Sequence, residues 1–177
     1  MIVTETERLY LRRLTLDDAN TLFLLNSVPE ILKHLPGSPM KSIEDARQVI
    51  NKLILPFYDK FDYGRWAVVN KQDERVIGYC GPKYLDKYHE VGLTFRFLPQ
   101  YWGQGFATEA AMAAMEVCQQ YHLAGMIGVV LLGNKACERI LHKLEMHEKE
   151  HDHYLGYRVK IFHRLFVHSS KALMMGT

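Results

Sequence analysis

The sequence predicts an α/β (α+β) fold, in which a single mixed, mostly antiparallel twisted sheet of about six or seven strands is flanked by about four helices. Three observations predict it. Residues 66–97 hold three consecutive β-patterned runs separated by turns. The segment Ala107–Leu123 has helical spacing and is apolar on nearly all sides, as a largely buried helix must be. Behind it, Met126-Ile-Gly-Val-Val-Leu-Leu is continuously apolar, which suits a central strand covered on both faces.

The elements follow in order. Leu9 and Leu11 alternate with Arg8, Tyr10 and Arg12, giving a strand near 7–14 with one buried face. Thr15 precedes Asp17 and Asp18 as a capping residue before first-turn acids, and Leu16, Ala19, Leu22 and Phe23 recur at helical spacing to about Asn26. Pro29, Pro36, Gly37 and Pro39 then break the chain. Ser42 with Glu44 and Asp45 opens a second helix through Ala46, Val49, Ile50, Leu53 and Ile54, expected to fade after Pro56. Trp66–Val69 and Val76–Cys80, joined by the turn Asn70–Glu74, read as a hairpin. Val91, Leu93, Phe95 and Phe97 alternate strictly in a third strand, which completes an antiparallel meander. The buried helix is expected to end on a cap at Gly125. A last helix from about Asn134 to Leu144 carries Ala136, Cys137, Ile140, Leu141 and Leu144 on one stripe, and strands near 147–155 and 158–167 finish the sheet.

Composition narrows the class. The chain has 177 residues, 48% hydrophobic and 24% charged, the balance of one domain over 1–177 with an ordered core of about 7–168. A net charge of +2 from scattered basic residues excludes the footprint of a nucleic-acid binder. No apolar run reaches the roughly 18 residues of a membrane span, and no secretory leader is evident. A cytoplasmic protein, monomer or homodimer, with Cys80, Cys118 and Cys137 as reduced thiols is the expectation.

The segment richest in chemistry is Leu98-Pro-Gln-Tyr-Trp-Gly-Gln-Gly-Phe-Ala-Thr-Glu, a glycine-rich turn between a strand and the buried helix. Glycines let the backbone approach a ligand, and the unpaired N–H groups of a first helical turn converge on one point, an anion site for phosphate. A Walker loop is excluded because Gly105 is followed by Phe106-Ala107 rather than Lys-Ser/Thr. A dinucleotide fingerprint would need a third glycine where Thr108 stands. A tight turn without a ligand is the plainer alternative.

Trp102-Gly-Gln-Gly-Phe-Ala-Thr-Glu-Ala resembles the acetyl-CoA loop of the GNAT superfamily, in its Rim-type branch of ribosomal-protein N-terminal acetyltransferases. Trp102 replaces the usual Arg or Gln at the first place, as is common in that branch. Glu7-Arg-Leu-Tyr-Leu-Arg-Arg-Leu with Asp17-Asp-Ala is similar to the branch's opening, Ile77-Gly-Tyr and Glu90-Val-Gly to two of its strands, and Asn134-Lys-Ala-Cys to its Asn-x-x-Ser helix. The similarity covers roughly 7–167.

The resemblance implies an N-acetyltransferase that uses acetyl-CoA as co-substrate, with no metal. Its acceptor would be a primary amine, on a small molecule or a protein N-terminus, attacking directly in a ternary complex. It also implies a splay between the family's fourth and fifth strands, with pantetheine against the backbone of Phe95, Phe97 and Leu98. The pyrophosphate would lie on Gly103, Gln104, Gly105, Phe106, Ala107 and Thr108, with Asn134 and Cys137 as further coenzyme contacts. Glu90 is the candidate base and Cys137 the candidate acid, since the tyrosine of many relatives is replaced by Leu141. Plain alternatives are a solvated Glu90, a core Cys137 and a helix-capping Asn134. Asp59 and Asp62 could attract a cationic amine or belong to a solvated loop. His147, His151, His153 and His163 are read as structural or surface histidines, with His151 and His153 on one strand face. The competing functions are an inactive acyl-CoA-binding protein of the same fold and a metal- or nucleotide-binding regulatory module.

Overall fold

In the computed structural model, which describes residues 1–35 and 37–167, one eight-stranded sheet runs in the order β1-β2-β3-β4-β5-β6-β8-β7. The break expected at Pro36 and the boundary at 168 lie outside the described residues. The strands are β1 (Ile2–Glu5), β2 (Leu9–Arg13), β3 (Trp66–Asn70), β4 (Arg75–Leu85), β5 (Glu90–Phe97), β6 (Gly125–Leu131), β7 (His147–Tyr154) and β8 (Tyr157–Leu165). One strand more is present than the sequence predicts. β1 is a four-residue edge strand paired to β2 from Ile2↔Arg12 to Glu5↔Tyr10, too short and too exposed to show a buried face in the sequence.

The helices are α1 (Ala19–Leu25), the single turn α2 (Pro29–Leu32), α3 (Ile43–Val49), α4 (Leu55–Phe61), α5 (Phe106–Gln120) and α6 (Lys135–Lys143). Ser42 caps α3 as expected, its Oγ accepting from the Asp45 N–H at 3.1 Å while Asp45 Oδ2 accepts from the Ser42 N–H at 3.1 Å. The helix does not fade at Pro56. It passes through a π-turn at Ile50–Ile54 and continues as α4, because the wider turn relieves the clash of the proline ring with the preceding turn and spares the missing N–H. α5 ends earlier than expected, at Gln120, and the left-handed residue behind it is His122 (φ 56°). Gly125 instead opens β6, where a Cβ would lie 2.4 Å from the Arg164 carbonyl oxygen.

Antiparallel alternation assigns the two sheet faces. Tyr79 pairs with Arg96, and the Arg96 guanidinium donates to Asn26 Oδ1 at the end of α1, so α1 and α3 cover that face. Cys80 pairs with Phe95 on the opposite face, where α5 packs and the Cys118 sulfur raises the already buried Cys80 thiol further. The core joins both layers through Trp66, Phe162, Leu9, Leu11, Leu22 and Met115, all essentially solvent-free.

Every adjacent strand pair is antiparallel except β5 and β6, which are parallel and meet only at Gly92↔Ile127. A Cβ on Gly92 would stand 2.5 Å from Leu85 Cδ1, so the joint needs glycine. Beyond it the strands part, which is the predicted splay; β1 shifts its number by one.

Candidate active site

A cleft of about 1150 Å³ opens where β5 and β6 diverge. It exceeds the roughly 300–1,000 Å³ of an ordinary single-ligand pocket, so two molecules have room to meet. One wall is Phe95 of β5, Val129–Leu131 of β6, and Asn134 and Cys137 of α6. The other comes from α3, α4, the segment Tyr63–Arg65 and the β7–β8 turn at Tyr154 and Leu155.

The unpaired edge of β5 can be read from its ladder. The Leu98 N–H donates to the Ile77 carbonyl at 3.0 Å, so even-numbered residues of β5 bond β4 and the main-chain groups of Phe95 and Phe97 point into the gap. The Phe97 carbonyl is taken by the Trp102 indole N–H at 2.8 Å. The Phe95 N–H and carbonyl and the Phe97 N–H have no partner among the described residues. The side chain of Phe95 lines the cleft, whereas that of Phe97 is buried in the core.

β5 then runs through a 3₁₀ turn (Pro99–Tyr101) into the glycine loop at the mouth of α5. Gly103 and Gly105 have φ of +70° and +82°, conformations that a side chain strains. The first helical bond is Glu109 N–H to the Gly105 carbonyl at 3.0 Å, and the N–H groups of Gln104 through Thr108 have no protein acceptor among the described residues. Gln104 turns its carbonyl the other way, onto Arg8 Nη1 at 2.9 Å. Exposed donors without acceptors, backed by a 15-residue helix, fit a phosphate group.

Arg8 and Glu109, from two matched motifs, prove with Thr6 to be one structure. Glu109 accepts from the Thr6 hydroxyl at 2.6 Å, the Arg8 N–H at 3.0 Å and Arg8 Nε at 2.7 Å, while the Arg8 guanidinium lies 4.3 Å above the Phe106 ring. Burial disfavours the charged Glu109, but the hydrogen bonds from Thr6 and Arg8 outweigh it and hold its pKa below the usual range. This strap ties the first strands to the loop. The sequence carries both motifs, yet nothing in their spacing says that they touch.

Asn134 caps α6, with Oδ1 accepting from the Cys137 N–H at 3.1 Å, and both residues line the cleft. Burial pushes the Cys137 thiol up to about 12, with the Glu138 charge adding to the shift, so the thiol is protonated at neutral pH. Leu141 is core, packed against the backbone of β6 at Gly128. Glu90 is not brought to the cleft. It is exposed at the start of β5, before the Gly92–Ile127 joint, and Phe95 lies five residues on, about 16 Å along a strand.

The acids expected beside the acceptor also point elsewhere. Asp62 pairs with Arg13, and Asp59 faces a separate groove formed with Arg12 and Arg13. The groups that do line the cleft are Lys52, Lys60, Arg65, Lys83 and Arg96, which sequence reasoning missed. Arg96 had a weak signal, standing with Thr94 on the polar alternate face of a phenylalanine-rich strand. Arg65 is placed by its backbone, whose carbonyl accepts from the Tyr58 hydroxyl, which itself accepts from the Leu14 N–H at 3.1 Å. His147, His151 and His153 are exposed on β7, and His151 Nε2 lies 2.8 Å from Glu148. Among the described residues no group of His, Cys, Asp and Glu could hold a metal ion, and no helix is long and apolar enough to cross a membrane.

Comparison with known proteins settles the family. The acetyltransferase (GNAT) domain matches residues 8–147. The chain belongs to the GNAT acetyltransferase family. The uncharacterized N-acetyltransferase p20 of Bacillus licheniformis is 33% identical over 117 residues, 63% of this chain and 62% of p20. The match thus spans less than two thirds of that relative. Ribosomal-protein-S5-alanine acetyltransferase from Vibrio fischeri superposes with a TM-score of 0.78 at 14% identity, over 93% of this chain and 96% of that one. Spermidine N-acetyltransferase from Vibrio cholerae, solved with CoA and spermine, superposes at 0.76 with 19% identity, over 90% and 96%. These GNAT neighbours share the sheet and its splay-bearing fold.

Proposed function

We propose that the protein is an acetyl-CoA-dependent N-acetyltransferase that moves the acetyl group onto a primary amine by direct attack in a ternary complex. One observation carries the reading: β5 and β6 part beyond a single glycine joint, and the edge of β5 so freed runs on through one 3₁₀ turn to amides without acceptors at the mouth of α5. Acetyl-CoA, when bound, supplies a thioester carbonyl and a thiolate leaving group. As the new C–N bond forms the C–S bond breaks, and the proton lost by the amine balances the one gained by the thiolate.

The residues then have distinct tasks. The amides of Gln104–Thr108 hold the pyrophosphate, with Gly103 and Gly105 shaping the turn. The open groups of Phe95 and the Phe97 N–H hold pantetheine and the thioester oxygen, where a fixed donor stabilises developing charge. Leu98 closes the ladder beneath them. Asn134 fixes the start of α6, and so the place of Cys137. With its thiol at about 12, Cys137 donates a hydrogen bond to the departing sulfur rather than its proton, a transfer uphill by about 4 kcal/mol against an ordinary thiol. Two structural neighbours act on quite different acceptors, an alanine of ribosomal protein S5 and spermidine.

The test is a thermal-shift titration with acetyl-CoA, with coenzyme A, ATP and NAD as competitors, followed by thiol release over a panel of amines. Saturable stabilisation by acetyl-CoA and coenzyme A only, with thiol release, is the expected result. Stabilisation by ATP or NAD would defeat the reading.

A further inference from the structure

We infer that the acceptor is a small amine carrying an oxyanion, a carboxylate or a phosphate, and that Arg65, Lys83 and Arg96 receive that group. The inference rests on the acetyl-transfer reading and narrows its acceptor.

The three cations converge on one face of the sheet. Arg65 and Arg96 each place Cζ 5.8 Å from the centroid of the Tyr79 ring, so both guanidinium groups gather at one aromatic side chain. Lys83 projects from the same face of β4 as Tyr79, four residues along. It is open to solvent through the cleft, yet desolvation and then the charges of Arg65 and Arg96 hold its pKa below that of a free lysine. Like charges so placed repel, and the fold supplies almost nothing to offset them. Asp86 is the single carboxylate of the cleft lining and forms no ion pair with Lys83 among the described residues. Arg96 donates to a neutral amide oxygen, and among the described residues neither it nor Arg65 forms an ion pair with a carboxylate.

Several cations elsewhere are paired, Arg8 with Glu109, Arg12 with Asp18, Arg13 with Asp62 and Lys87 with Asp152. Three neighbouring cations that share one cleft without an ion pair among the described residues are what a bound anion would complete. A polyamine would meet further repulsion. The arrangement also helps the chemistry, because an amine held beside fixed positive charge loses its proton more readily, and the reaction needs the neutral amine. No carboxylate base has to be found for that step. The α3–α4 wall with Lys52 and Lys60 on it encloses the cluster, which favours a compact molecule over an acidic peptide.

The experiment compares amines that differ in charge alone: phosphoethanolamine with ethanolamine, and β-alanine with β-alaninamide, with spermidine and an acidic N-terminal peptide alongside. In thiol release the anionic member of at least one pair should show a kcat/KM at least tenfold higher. Lys83→Met and Arg65→Gln should each cut that preference at least fivefold through KM, and Lys83→Arg should restore it. In parallel, inorganic phosphate and malonate are titrated by calorimetry into protein saturated with coenzyme A. Binding of either anion that is lost in Lys83→Met is expected. Equal rates within both pairs, or spermidine or the peptide as best acceptor, would overturn the inference. So would anions that bind only when coenzyme A is absent, or not at all, since the cations would then serve the coenzyme or nothing. If acetyl-CoA itself fails to bind, the acetyl-transfer reading fails, while the anion titration still reports on the cluster.

Discussion

The two halves of the proposed site are made of different material. The proposed coenzyme half is main chain: the edge of β5 around Phe95 and Phe97 and the amides from Gln104 to Thr108, positioned by two glycines of positive φ. The proposed acceptor half is side chain: Arg65, Lys83 and Arg96 with Tyr79, drawn from a loop and two strands that line the cleft. Backbone can recognise what every member of a family shares, because its geometry survives substitution outside a few glycines. Side chains recognise what differs. The contrast predicts that changes in the first half abolish coenzyme binding in proportion to their effect on φ, while changes in the second alter which amine is used.

The sharpest way to break this comparison is at Gly105. Valine there must adopt φ near +82°, which costs a β-branched residue more than the roughly 1–2 kcal/mol of an ordinary one, and the alternative is a turn whose amides no longer converge. Gly105→Val should weaken acetyl-CoA binding at least a hundredfold, while Gln104→Ala, which loses only a bond from Nε2 to the Gln100 carbonyl, should stay within threefold. Calorimetric titration of both variants checks it, and equal losses would mean that side chains, not amides, hold the coenzyme.

The same contrast explains what the sequence showed and what it hid. The loop was legible because glycines, a strand and a buried helix lie within a dozen residues, so local physics is enough. Asn134 and Ser42 were legible as caps for the same reason. The acceptor half was not, because Arg65, Lys83 and Arg96 become neighbours only through the β3–β4–β5 pairing, and a lone basic residue in a strand carries no signal. Asp59 and Asp62 were open to two readings, a pull on a cationic amine or a solvated loop, and only the helix continuing past Pro56 shows that they face Arg12 and Arg13. The strap between Thr6, Arg8 and Glu109 was hidden although Arg8 and Glu109 lay in recognised motifs, since contact across about a hundred residues is not a sequence property.

That strap gives the next largest effect. Glu109→Ala leaves the Thr6 hydroxyl and the Arg8 guanidinium without their acceptor and should cost about 1–3 kcal/mol of unfolding free energy, with a weaker coenzyme loop as a consequence. Its pH dependence follows from the depressed pKa. The folded protein holds Glu109 ionised to lower pH than the unfolded chain does, so the contribution is full above the ordinary glutamate range and is lost only as pH falls below that range, through the lowered folded-state pKa. Denaturant melts of wild type and Glu109→Gln should therefore differ at pH 7 and converge only at pH below that lowered value. Curves that stay equally far apart at low pH would show that packing, not charge, makes the strap.

A smaller change tests where main chain and side chain meet. Trp102→Phe removes the indole N–H from the Phe97 carbonyl and should cost about 1 kcal/mol of stability. It also frees an acceptor at the gap. If pantetheine uses that carbonyl, coenzyme A should bind a few-fold more tightly to the variant despite the lost stability. Weaker binding would assign Trp102 to the cradle itself, as its place in the loop motif suggests.

The smallest effect is expected at Cys137, and its size discriminates between two chemistries. A group that transfers its proton in the rate-limiting step leaves its pKa in the rate profile, and its loss typically costs a hundredfold or more. A thiol at about 12 is protonated throughout the accessible range and titrates too high to be useful as an acid. Cys137→Ala should then lower kcat less than tenfold, leave the profile between pH 6 and 9 unchanged, and be repaired by serine, which offers the same donor from the same cap-fixed turn of α6. A hundredfold loss that serine does not repair would instead require a thiol whose proton is freed when the coenzyme enters, and the acidity of that residue would have to be set by the ligand rather than by the fold.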